Sequence, residues 1–415
     1  MSDREKLVTG AALVLCYFTA LHGGAYFAGN RLQEVGLAVL LALWGRNALA
    51  VGTADRSIGW HAWLVVPAAC ATSFVTFYAV VFSYHTGANP LPGMFALRYF
   101  LWILIAPILL FTAARGVSIR EHQRFFWLAL ALLLLNYSFH AFTIDFESVH
   151  ASENRSLRAF IGYDPWRGYR LKPNYYAMYL TVLVSAGMMV RERTRLGRRT
   201  AGLLLLAALA WLSVLLPRAG LLSVATATVL YAFVLSRPHR LHALFLAAPP
   251  AAFAAGIALL VFAGDLNANF QNDWSYLARL ESSRTAMRVL EAHPLFGIGT
   301  ASYYSLSYQD LFGRHFYPGD IGILGMAFRN GLLGAALLVF VQVALFVRLL
   351  RTDWLLRHHT GRSIPIVSGF CVLALACTFL LPIQPVLAFG FGFPILGFSL
   401  GFDGVARLSL LEVSS

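Results

Sequence analysis

Arginines set where apolar chain surrounds them are the first sign of chemistry in this sequence. Arg218, in LLPRAGLL, stands between two apolar runs with almost no polar loop to hold it. An ion at bilayer depth costs on the order of 3 kcal/mol, so such a position needs a reason. It is either a residue snorkelling from a tight turn between helices or a contact for an anion. The stretch 276–291, YLARLESSRTAMRVLE, has the spacing of a helix. At 100° per residue Arg284 and Arg288 share one face, flanked by Glu281 and Glu291, with Leu280, Met287 and Leu290 on the adjoining apolar side. Arg279 points about 140° away from Arg284. Such a helix could instead lie on a membrane surface, closed by Glu281–Arg284 pairs. It runs into HPLFGIGT, where Pro294 stops it and Gly297 and Gly299 allow close approach of a neighbour or ligand.

Further on, RHFYPGDIG holds His315 and Asp320, five apart across Pro318 and Gly319. Asp320 reads as the first residue of an apolar helix, where a carboxylate caps the N-terminus. His315 has a side chain whose ordinary pKa lies near neutrality, which suits it to general-base work. No metal-binding constellation is present, and no G-x-S-x-G elbow. Divalent-metal catalysis and covalent hydrolysis are therefore disfavoured, and no cofactor is expected. Arginines can take the place of a metal on a phosphate leaving group, because a guanidinium grips two phosphate oxygens at once.

The elements that must position these residues follow from composition. Of 415 residues, 59% are hydrophobic and 12% charged, with mean hydropathy +0.67. A soluble domain carries about twice that share of charge. The sequence excludes a water-soluble globule, and its continuous apolar runs exclude a β-barrel. The expectation is an all-α polytopic membrane protein in one transmembrane domain over 1–415. About twelve spans lie near 7–25, 33–50, 60–82, 94–113, 125–142, 174–190, 201–217, 219–236, 243–263, 320–348, 364–382 and 384–402. Two long connections interrupt them, 143–173 and the larger 265–319.

All basic residues but Lys6 and Lys172 are arginine, and the net charge is +13. The arginines crowd alternate short loops, with Arg115, Arg120 and Arg124 in one and Arg191, Arg195, Arg198 and Arg199 in the next such loop. Membrane orientation accounts for this charge better than nucleic acid does, and it puts both termini in the cytoplasm and the two long loops outside. Cys16, Cys70, Cys371 and Cys377 all fall in apolar runs and read as small core residues. The N-terminus MSDREKLVTG lacks the marks of a cleaved signal.

Four pieces of the chain resemble the O-antigen ligase and polymerase family of bacterial envelope polysaccharide enzymes. They are KPNYYAMYL opening the sixth span, PRAGLL, the arginine helix running into HPLFGIGTASYY, and DIGILGMAFRNGLLG after the large loop. The resemblance implies a GT-C-like fold in the bacterial inner membrane with its site facing the periplasm. It implies inverting, metal-independent transfer of O-antigen polysaccharide from undecaprenyl diphosphate to a lipid A–core sugar. Partners would be those two glycolipids and membrane lipids. Arg218 matches the family's first arginine, and Arg284 matches the loop arginine, with Arg288 and Arg279 beside it. Arg170 and Lys172, at the entry to the sixth span, would add donor contacts. The family often has histidine eleven residues before the first glycine of GLLG, but here that position is Asp320. His315 is then expected as the base, with Asp320 as orienter or cap. A polymerase of the same family, or a flippase or exporter for lipid-linked glycans, are the alternatives.

Overall fold

The structure is a computed structural model that describes residues 2–22, 31–54, 58–96, 98–151, 161–164, 168–171, 175–192, 194–215, 223–231, 274–301, 306–313, 316–360, 364–381 and 392–414. These residues are mostly helical, with one antiparallel hairpin and short turns and loops between elements. In chain order the helices are α1 (Asp3–His22), α2 (Arg31–Ala54), α3 (Ile58–Thr86), α4 (Pro90–Ala96), α5 (Ile105–Ala114, entered by a 3-10 stretch Arg98–Leu104), α6 (Ile119–Thr143) and α7 (Phe146–Ala151). The hairpin pairs β1 (Ile161–Asp164) with β2 (Gly168–Leu171). After it come α8 (Tyr175–Arg191), α9 (Arg195–Leu215), α10 (223–231), α11 (Trp274–Ala292), α12 (Tyr308–Phe312), α13 (Gly322–Thr360), α14 (Pro365–Leu380) and α15 (Gly392–Ser414).

Local chemistry sets the ends of these helices. Ser118 and Glu121 form a reciprocal cap at the start of α6, with the Ser118 amide donating to Glu121 Oε2 at 2.7 Å and the Glu121 amide to Ser118 Oγ at 3.3 Å. Two otherwise orphaned amides are thereby satisfied. Helices α6, over Ile119–Thr143, and α13, over Gly322–His359, are long and apolar enough to cross a bilayer. Large apolar side chains stand exposed on outward faces, including Leu203 and Leu206 of α9 and Leu337 and Phe340 of α13. In water such stripes would be an aggregation hazard, whereas hydrocarbon accepts them.

Polar contacts between helix ends give the bundle its polarity. Lys6 of α1 lies 3.9 Å from Glu121 of α6, and Arg46 of α2 lies 4.0 Å from Glu5. The Ile366 amide at the start of α14 donates to Gln123 of α6. Ser368 of α14 in turn donates to Asp353, in the last third of α13. These contacts chain the starts of α1, α6 and α14 to the ends of α2 and α13, so the helices alternate in direction. This end carries the arginines of the short connections. At the opposite end the Tyr137 hydroxyl donates to the His22 carbonyl at 2.7 Å, and Trp211 Nε1 donates to Ser138.

Between the two ends, five rings from four helices interlock. Tyr17, Phe126, Phe370, Phe398 and Phe402 contact one another edge-on, tilted or, for Phe370 and Phe402, stacked, with centroids 5.2–6.3 Å apart. Where hydrocarbon surrounds a helix pair, close van der Waals fit holds it together. The G-x-x-x-G of α15 supplies such a fit, because a Cβ on Gly397 would meet the Trp102 carbonyl and one on Gly401 would meet Leu109.

Several sequence expectations change here. The tenth span is not one helix starting at Asp320, since α13 begins at Gly322 and breaks at Gly331 (φ 68, ψ 178). The first long connection holds one short hairpin, and the other described elements are helices, in keeping with the all-α class. Cys70 is exposed, while Cys16, Cys371 and Cys377 are buried. The expected ninth span lies outside the described residues.

Candidate functional site

The broken helix organises the end of the molecule opposite the arginine-rich connections. In an unbroken α13 the carbonyls of Phe328, Arg329 and Asn330 would accept from the amides four residues on. Gly331 prevents this, and HPLFGIGT supplies the replacements. The Ile298 and Gly299 amides donate to the Phe328 and Arg329 carbonyls, each at 2.9 Å, and the Tyr78 hydroxyl donates to the Asn330 carbonyl at 2.9 Å. In the other direction the Leu332 amide donates to the Pro294 carbonyl at 2.8 Å. Irregular backbone at membrane depth survives only where protein satisfies it in this way. The Thr300 amide also donates to the Tyr78 carbonyl at 3.0 Å, which ties α3 to the same junction. Gly297 and Gly299, both at positive φ, are what let the strand lie this close, since a Cβ on either would overlap backbone of α13 or α3.

Helix α11 is bolted to this junction by its small residues. Ser282 and Ala286 are buried, and Ala286 joins Ile298, Phe316, Ile321 and Phe328 in one apolar cluster. Of the apolar residues Leu280, Met287 and Leu290, Leu290 packs against Met326, Ala327, Ala335, Leu338 and Leu381, while Met287 is exposed. Small residues win because they let the two backbones approach. Arg284 and Arg288, some 40° apart, consequently face outward and are exposed. Arg288 donates to Thr285 Oγ1 at 3.3 Å. Among the described residues neither Glu281 nor Glu291 forms an ion pair with Arg284 or Arg288. The Glu281–Arg284 closure of a surface helix is thus not made. Arg279 is exposed as well, nearer the start of the helix.

Two groups at the junction were not singled out in the sequence. Arg329, 8% exposed, directs Nη2 to Thr300 Oγ1 at 3.4 Å, placing a third guanidinium beside the crossing. Tyr308 brackets the loop, its hydroxyl donating to the Gly299 carbonyl at 2.6 Å and accepting from the Ala301 amide. Arg329 lies within DIGILGMAFRNGLLG and Tyr308 in the large connection, but only the spatial crossing brings them to the junction.

Asp320 lies exposed in the 3-10 turn Pro318–Asp320, its amide bonded to the Tyr317 carbonyl at 3.0 Å. It stands just ahead of α13 rather than as its first residue. Arg170 occupies β2 opposite Gly162. Arg218, Lys172 and His315 lie outside the described residues. Among the described residues, no group of three or more metal-binding side chains converges.

His85, at the end of α3, and His293, just past α11, pack with ring centroids 4.1 Å apart and planes tilted by 48°. Burial, and then the nearby His293, push the His85 pKa below its ordinary value. Protonation of His85 is therefore harder in the folded protein than in the unfolded chain. Stability is fully present above about pH 6.5 and is lost as the pH falls through that value. The melting temperature should drop more between pH 7.5 and 5.5 for wild type than for His293→Gln. Equal drops would remove the histidine pair as the cause.

Compared with known proteins, the chain matches no family model and no curated protein.

Proposed function

We propose that this protein is a membrane glycosyltransferase of O-antigen ligase type, with about twelve spans in the bacterial inner membrane. In this reading the arginine-rich end of the bundle is cytoplasmic with both termini, and the α11–α13 junction faces the periplasm. The observation that carries the reading is the pair Arg284 and Arg288, exposed together on a helix whose other face is locked to the broken helix. Guanidinium groups without intrahelical carboxylate partners, at a membrane surface, suit a diphosphate. The resemblance of PRAGLL, HPLFGIGTASYY and DIGILGMAFRNGLLG to the ligase and polymerase family supports the same substrate class.

The proposed reaction needs no metal. Arg284 and Arg288, with Arg218 and Arg279, hold the diphosphate of the undecaprenyl-linked polysaccharide, and Arg170 and Lys172 add contacts to the donor. The acceptor hydroxyl of lipid A–core attacks the anomeric carbon from the face opposite the diphosphate. As the new C–O bond forms, the bond to the phosphate oxygen breaks and undecaprenyl diphosphate departs with that electron pair. Guanidinium groups stabilise the charge that builds on it. His315 takes the proton of the attacking hydroxyl, and Asp320 orients it.

The test is transfer in liposomes holding the purified protein, carrier-linked glycan and lipid A–core. Arg284→Lys should lower turnover by about a hundredfold, because an ammonium cannot reproduce the two-pronged contact. His315→Ala should lose about 10²–10⁴-fold in turnover with little change in substrate binding. Wild-type rates in both variants would refute the assignment. Growth of carrier-linked chains in place of ligation would make the protein a polymerase of the same family.

A further inference from the structure

The arginine-rich end of the bundle holds two buried carboxylates, and they are neutralised unequally. Asp353, fully buried, is met by one guanidinium, with Arg357 Nε donating to Oδ2 at 2.8 Å. The Tyr231 hydroxyl donates to Oδ2 at 2.5 Å and the Ser368 hydroxyl to Oδ1 at 2.8 Å. That site is closed, one charge against one. Asp403, also fully buried, is met by two guanidiniums. Arg348 Nε donates to Oδ2, and Arg407 Nε lies 3.2 Å from the same oxygen while donating to Thr352 Oγ1 at 2.9 Å. One positive charge is left over. Arg351, exposed and 60° round α13 from Arg348, adds another.

The surplus is held in a fixed shape. Arg348 and Arg407 are 37% and 35% exposed, so each presents part of its guanidinium to the surroundings. Both are anchored through Nε, and Arg407 Nη2 is also bonded to the Arg348 carbonyl. Among the described residues, both Nη groups of Arg348 and Nη1 of Arg407 make no hydrogen bond. The depth is also defined, because Arg348 ends the apolar run LLGAALLVFVQVALFV that follows the break. Those sixteen or so residues span about 24 Å at 1.5 Å per residue, which brings Arg348 near the headgroup layer of a core about 30 Å thick.

We propose that Arg348, Arg407 and Arg351 form a binding site for the phosphodiester headgroup of an anionic phospholipid in the leaflet at this end. The phosphodiester of phosphatidylglycerol, with no choline ammonium to cancel it, brings the single net negative charge that the Asp403 pair leaves unmatched, and its two free oxygens fit the Nη donors. The site is independent of the glycosyl-transfer reading and rests on the membrane setting alone.

The experiment is a competition for the purified full chain in detergent, offered equimolar dioleoyl phosphatidylglycerol and dioleoyl phosphatidylcholine, with retained lipid counted by native mass spectrometry. Wild type should retain phosphatidylglycerol over phosphatidylcholine by at least about fivefold. Arg407→Gln leaves Asp403 paired with Arg348 and Thr352, and should lower that preference about fivefold. Arg195→Gln removes an equal charge from the exposed start of α9, at the same end of the bundle, and should leave the preference unchanged. Equal loss in both variants would mean summed surface charge and overturn the site. Absence of preference in wild type would overturn it without any variant, so the outcome does not depend on whether Arg407→Gln folds.

Discussion

Gly331→Ala should yield little or no folded protein. At φ 68 and ψ 178 the backbone of Gly331 lies in a region that residues with a Cβ essentially do not enter, which costs about 1–3 kcal/mol. Space is the harder limit, since the added Cβ would sit 2.0 Å from the Leu295 carbonyl oxygen. Relief requires moving the 294–299 strand away from α13. That gives up the bonds from Leu332 to Pro294 and from Ile298 and Gly299 to α13. Each buried group left unmatched costs about 1–3 kcal/mol, so the total exceeds about 4 kcal/mol, a large part of a typical stability. Size-exclusion chromatography of the detergent-solubilised protein should show aggregate in place of the wild-type peak. Two glycines calibrate the result. Gly313 also has positive φ (103) but open space around it, so Gly313→Ala should cost only about 1–3 kcal/mol. Gly45 lies within α2 with nothing near it, and Gly45→Ala should be neutral or stabilise by up to about 1 kcal/mol. A well-folded Gly331→Ala protein would mean that α13 is not broken there.

Asp353→Ala should destabilise by about 3–5 kcal/mol, the usual cost of removing one partner from a buried ion pair. The loss strands more than Arg357. Tyr231 and Ser368 give up the same acceptor, which weakens the ties of 223–231 and α14 to α13, although Arg357 still donates to the Tyr231 hydroxyl and Gln342 to Thr378. Tyr231→Phe keeps the Asp353–Arg357 ion pair but removes two hydrogen bonds to charged groups, the one given to Asp353 and the one taken from Arg357, and should cost at least about 1.5–3 kcal/mol. Unfolding curves for both single variants and the double variant would show whether they act as one network. Additive effects would mean that the tyrosine and the carboxylate are independent.

Much of the helical plan was legible before any coordinates. Apolar runs marked α1, α2, α3, α8 and α14 to within about four residues and α6 and α9 to within six, because helix length and hydropathy are local properties. The stop at Pro294 is equally local. The arginine helix over 276–291 was legible too, and it forms as α11. Which of its residues are buried was not legible: close packing buries Ser282 and Ala286, while of the apolar residues Leu290 joins a core cluster and Met287 stays exposed.

What resisted sequence reading involves groups brought from far along the chain. Asp353 and Asp403 sit near arginines that orientation alone seemed to explain, and nothing local says that Arg348 and Arg407 share one carboxylate. The break at Gly331 has the same character. GLLG reads as a helix start or as ordinary small-residue packing, and it becomes a discontinuity only because residues 294–299 arrive with donors and acceptors of the right spacing. Composition and periodicity were enough to settle that this chain builds apolar helices with its arginines grouped at particular connections. Which helix is interrupted, which carboxylates are buried and which arginines stay outward were decided by packing, because each depends on hydrogen-bond partners dozens to hundreds of residues away.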